Sequence, residues 1–165
     1  MDIEMSPRKI LIVLLSIIGF LLFANIMGIV SRYVFDHDMV YGLVPLFNFD
    51  NEKNVPTLYS SLQFIIASLL LLIIGANHKS NGESHVFWLA LAVIFLFLAI
   101  DETASLHEKL ASPFRETFGT SGLLHFAWII PYAIAVLVFV IVFSKFLFRL
   151  PRGVMLRFIA SGRFS

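Results

Sequence analysis

The sequence predicts an all-α protein built as a four-transmembrane-helix bundle. Three observations point there. The chain has 165 residues, of which 59% are hydrophobic. Only 14% are charged, against about a quarter in an ordinary soluble domain. Its apolar residues gather into four runs, and the mean hydropathy is +0.90. Composition of this kind belongs in a lipid bilayer. A formal net charge of +1 gives no electrostatic footprint for nucleic acid. The absence of Cys removes disulfides, thiolate metal sites and Cys nucleophiles together.

The first span covers residues 10–31 and is apolar apart from Ser16, Gly19, Asn25, Gly28 and Ser31. A hydrocarbon core needs about 20 such residues. A signal peptide has a shorter apolar region and a small-residue cleavage site, so this run reads as an uncleaved helix. Ala24 and Gly28 form a small-xxx-small pair, which lets a second helix approach closely. An outer loop, 32–57, follows.

The second span, 58–76, starts after Pro56 and Thr57, a helix-opening pair. Ser60, Ser61 and Gln63 in its first turns are placed to bridge helices by hydrogen bonds. The third span, 84–103, is expected to continue as an outer helical extension over 104–120, ended near Pro113. The fourth, 123–148, contains Pro131, which should kink it. Lys145 can snorkel to the nearby interface. Residues 149–165 are then a cytoplasmic tail or a cut-short fifth span. The whole of 1–165 reads as one integral membrane domain.

Lys and Arg set the orientation. With the N-terminus inside, the inner face holds Arg8, Lys9, Lys79, Lys145, Arg149, Arg152, Arg157 and Arg163. The outer face holds only Arg32, Lys53, Lys109 and Arg115 among eight acids. Both termini are therefore expected in the cytoplasm, with an acidic face outward, as in a multi-pass protein of a bacterial inner membrane.

The candidate chemistry lies on that outer face. "FNFDNEKNVPTLYSS" enters the second span, and "AIDETASLHEKL" leaves the third. His125 opens the fourth. On one continuous helix Asp101, Ser105 and Glu108 would share a face, with Glu102 about 100° away. His107 would lie about 120° from Asp101 on the other side. No single straight helix focuses all of them on one ion, so other helices must contribute. Asp101, Glu102, His107, Glu108 and His125 are the candidate metal ligands. Asp50, Glu52, Asn54 and Ser60 are candidate ligand-binding residues. Asp50, Glu52 and Asn54 alternate as in a calcium loop, but the EF-hand glycine and terminal Glu are missing. Carboxylates and imidazoles without thiols suit Zn, Mn, Fe, Ca or Mg. The bland alternative has Asp101 and Glu102 merely ending an apolar run, and His125 packing at the interface. No zinc-protease helix, Ser-centred elbow, phosphate loop or dinucleotide fingerprint is present.

The stretches "NVPTLYSSL" (54–62), "FLAIDETASLHEKL" (97–110) and "GTSGLLHFAWIIP" (119–131) resemble a group of uncharacterised bacterial polytopic membrane proteins. The resemblance is spread over about half of the chain. It implies that the motifs act as a unit, and it implies no activity. Related chains continue into further spans, which "VMLRFIASG" near the end resembles in its opening.

Two functions compete. One is a small membrane protein whose outward carboxylate–histidine cluster binds a divalent metal or polar ligand, with catalysis left open. The other is an accessory subunit of a larger membrane assembly, or a homo-oligomer, without chemistry of its own. Transport is weaker, because spans two to four carry almost no central polar residue beyond Ser68.

Overall fold

Pro7 has no N–H to lose at a helix start, and α1 begins there. The computed structural model describes residues 6–106, 109 and 129–163, and no strand occurs among them. Helix α1 (Pro7–Phe35) ends where Asp36 turns into the left-handed region at φ +55°. The loop that follows makes a 3-10 turn, Val40–Gly42, and a short helix, α2 (Leu43–Phe47). After it come α3 (Val55–Ser80), α4 (Val86–Ala104), α5 (Ile129–Arg149) and α6 (Arg152–Arg163). Four of these helices are long and apolar enough to cross a membrane: α1, α3, α4 and α5. Helices α1 and α3 overrun the expected 10–31 and 58–76 at both ends, because polar residues extend a helix once its backbone pattern is running.

The described residues fall into two compact units. The first comprises Met1–Ile66 with Leu96–Ser105. Here the loop after α1 is not a simple connection. It folds back along α1, because Leu43, Val44, Phe47 and Phe49 need apolar cover. Val44 is buried, and a Cβ on Gly28 would stand 3.5 Å from its Cγ1. That is an ordinary van der Waals distance, so α2 packs close on α1 here with room for one methyl group. Phe47 meets Phe20 edge to face at 6.0 Å. Asn25 accepts the Phe49 N–H at 3.1 Å, which satisfies a loop donor beside an apolar helix.

The second unit comprises Ala67–Phe95 with Leu106–Ser165. The α3–α4 hairpin closes tightly in it. A Cβ on Gly75 would lie 2.9 Å from Leu89 Cδ2 and 3.3 Å from Trp88 Cβ, so glycine sets the approach distance. Gly82, at φ +73°, turns the chain after α3. Ser68 Oγ donates to the Ala92 carbonyl at 2.7 Å. Leu71, Trp88, Leu91, Ala92 and Phe143 form the core, where Phe87 and Phe146 stack at 5.1 Å. Between lipid-immersed helices such packing and hydrogen bonding replace the hydrophobic drive. Outward side chains stay apolar: Phe23 is 62% and Ile141 65% exposed. Pro131, the expected kink position, lies in the first described turn of α5. The tail separates from α5 at Pro151 and forms α6.

Candidate functional site

The site belongs to the first unit and is built around the start of α3. Asn54 is the residue before Val55 and caps the helix. Its Oδ1 accepts from the Thr57 N–H (3.1 Å) and the Thr57 hydroxyl (3.0 Å). Its amide donates to the carbonyls of Asn48 and Asn51. Every hydrogen-bonding position of this buried side chain is used. Asn54 thus fixes the loop instead of offering an oxygen to a ligand. Lys53, at φ +60°, turns the chain into that cap.

The cap sets the direction of α3, and the next residues meet α1 and α4. The Tyr59 hydroxyl donates to the Leu14 carbonyl of α1 at 3.2 Å. Ser61 Oγ reaches the Ala99 carbonyl of α4 at 3.0 Å and Thr103 Oγ1 at 2.7 Å. Thr103 Oγ1 also reaches Ala99 O at 2.9 Å. One hydroxyl donates to the carbonyl and the other to its partner hydroxyl, so no donor is stranded between the helices.

This clamp leaves a cleft of about 330 Å³ lined by Ile18, Leu21, Phe49, Asn51, Pro56, Thr57, Tyr59, Ser60 and Glu102. Ser60 and Glu102, both candidates from sequence, meet there. Ile18 and Leu21 stand near the middle of the apolar run 10–31. Leu21 lies nine residues before Val30, about 14 Å along the helix axis. The cleft therefore runs beside the middle of α1's apolar stretch and, on its other side, beside the first turns of α3 and the last turn of α4.

Asp101 differs from its neighbour. It is only 6% exposed and lies inside α4, three residues before the helix ends at Ala104. A carboxylate that merely finished the helix would project into water. Ser105 next takes φ +52°, a region L-residues enter at a cost. Its buried Oγ has no hydrogen-bond partner among the described residues. The break at Ser105 corrects one expectation. The helix expected to run on unbroken past residue 103 ends at Ala104, before the left-handed Ser105. His107, Glu108 and His125, and the extension over 110–120, lie outside the described residues.

The apparent calcium loop does not converge. Asp50 is exposed and lines a different, smaller cleft with Asn25, Arg32 and Asn48. Glu52 buries its Oε2, and Asn54 is spent on the cap. Among the described residues no group of three or more His, Asp or Glu side chains is close enough to hold a metal ion. Sequence reasoning missed Asn51, Thr57, Tyr59 and Phe49. Asn54 just before a helix opening with Pro56 is a capping signal and could have revealed the cap; nothing local marks Thr57, Tyr59 or Phe49 as cleft residues.

Four helices long and apolar enough to span a membrane, with a polar cleft against the first, define an all-helical membrane-type protein. The chain belongs to the family described as Domain of unknown function (DUF8692), which matches residues 10–164. No curated protein and no solved structure matches the chain.

Proposed function

We propose that the protein is a small integral membrane protein that binds a divalent metal ion or a polar ligand on its non-cytoplasmic side, with Glu102 as the acidic anchor. The observation carrying this reading is the meeting of Glu102, Ser60, Thr57 and Asn51 in one cleft beside the middle of α1's apolar run. An ionisable group at membrane depth is costly and marks function by default. Asp101 is buried in the same helix end. His107, Glu108 and His125 are proposed to complete the donor set. The Lys and Arg distribution supports cytoplasmic termini and an outward acidic face, in a bacterial inner membrane.

Equilibrium binding to the full chain in lipid nanodiscs tests this. Zn²⁺, Mn²⁺ and small organic cations are each titrated onto the wild type and the Glu102→Gln variant. Saturable binding of at least one of them, weakened about tenfold or more when the carboxylate is neutralised, is expected for a charged contact out of bulk water. Equal isotherms for both proteins with every probe would remove Glu102 from the function.

A further inference from the structure

Helix α6 is not a continuation of α5. Pro151 has no N–H to give the Leu147 carbonyl, so the ladder of α5 stops there, and the Leu150 N–H takes that carbonyl at 3.2 Å instead. The Pro151 carbonyl then accepts from the Val154 and Met155 N–H groups at 2.8 and 3.0 Å, which opens a new helix. Its 12 residues include Arg152, Arg157 and Arg163, charges that are expensive in hydrocarbon. Lys145 and Arg149 precede them on α5, both exposed. No acid occurs in the sequence after Glu116.

The residues of α6 are also sided. At about 100° per residue, Val154, Met155, Phe158 and Ile159 take positions within an arc of about 140°. Arg152 and Arg163 border that arc on one edge and Arg157 on the other. Leu156 and Ala160 fall between the arginines, so the polar side is mixed. Arg152 and Arg157 are exposed, as are Val154 at 37% and Leu156 at 61%. The helix starts level with the α3–α4 turn, because Phe146 stacks on Phe87 at 5.1 Å and meets Trp88 edge to face at 5.0 Å. Two helices of spanning length and apolarity, α3 and α5, thus end at this level, and α4 begins there. The nearby carboxylate of Glu83 is paired with His78 Nδ1.

We propose that α6 docks on the bilayer surface from which α5 emerges, with its apolar stripe toward the acyl chains and its arginines on the phosphates of anionic lipids. Charge of one sign selects that occupant, since basic groups beside a membrane helix are drawn to anionic headgroups. Position selects it too: α6 follows a span-length apolar helix within a few residues, so its stripe is already in reach of the interface. A helix with an apolar stripe flanked by arginines lies in the interface plane, where the arginine stems stay in apolar surroundings and the guanidinium groups reach phosphate oxygens. This surface is independent of the Glu102 cleft.

Spin labels on Gly153→Cys and Met155→Cys, about 160° apart on the helix, report which side meets lipid. A Cβ on Gly153 meets no atom within 4 Å, so a label is tolerated there. The full chain is placed in nanodiscs of phosphatidylcholine with and without phosphatidylglycerol. Collisions with oxygen, which enters lipid, are compared with those of a water-soluble nickel chelate. With phosphatidylglycerol the label on Met155→Cys is expected to favour oxygen, and the one on Gly153→Cys the chelate. Combining Arg152→Gln with Arg157→Gln should lower the docked-to-undocked ratio about 25-fold, about fivefold per arginine, and phosphatidylcholine alone should lower it comparably. Both labels in hydrocarbon would overturn the proposal in favour of a further span. Both labels in water with phosphatidylglycerol would overturn it outright. A label on Met155→Cys shielded from both reagents would overturn it in favour of a protein partner or a second copy. A contrast that ignores both the lipid and the arginines would overturn the phosphate contact.

Discussion

At the scale of single residues, the same side-chain types do opposite jobs a few positions apart. Asn54 and Asn51 look equivalent in "DNEKN". Asn54 is buried and closes four hydrogen bonds around the start of α3, whereas Asn51 is exposed and faces the cleft. Asn54→Ala should cost about 1–2 kcal/mol, the usual range for a lost helix cap. Asn54→Asp keeps both accepted bonds and loses the two donated ones, so it should fall between. Thermal or denaturant unfolding in detergent orders the three proteins. Asn54→Ala should also weaken binding at the cleft without touching it, because Thr57, Tyr59 and Ser60 follow from the cap. Asp101 and Glu102 show the same divergence. Adjacent residues on a helix point about 100° apart, so one is buried in the protein and the other reaches the cleft.

At the scale of elements, the α3–α4 contact in the first unit depends on hydroxyls. Ser61 and Thr103 share the Ala99 carbonyl and touch each other at 2.7 Å. Such bonds between membrane helices average about 0.6 kcal/mol. Ser61→Ala and Thr103→Val should each cost an amount near that. The double variant should cost less than their sum, because the two hydroxyls form one network. Additive losses in a double-mutant cycle would mean that the hydroxyls act independently. The helices themselves were legible in the sequence, because runs near 20 apolar residues have few other fates. Ser61 as a bridge was legible too, from its place in the first turns of a span. The path of the outer loop was not. Val44 over Gly28 and Phe49 on Asn25 are contacts between segments that no periodicity relates. The break at Ser105 was equally hidden, since serine at positive φ leaves no local signature as glycine does.

At the scale of the whole molecule, the account is that a polar cleft sits against the middle of an otherwise apolar helix. Sequence placed Glu102 and Ser60 near one another in level, where two polar stretches flank apolar runs. It did not reveal that they line one cleft with α1 residues, because that follows from how the loop folds along α1. Nor did it separate Glu102, which lines the cleft, from acids placed elsewhere, such as Asp50. The chain contains no Cys, so one introduced thiol reports on the cleft without background. The deciding measurement is the labelling rate of Ser60→Cys in reconstituted protein, with cationic and anionic water-soluble thiosulfonates, with and without Glu102→Gln. An accessible acidic cleft predicts that the thiol reacts, and that the cationic reagent gains about tenfold over its ratio for a free thiol, as expected of a local negative potential. Glu102→Gln should erase that gain. A thiol that neither reagent reaches, or one whose charge preference ignores Glu102, would contradict the account.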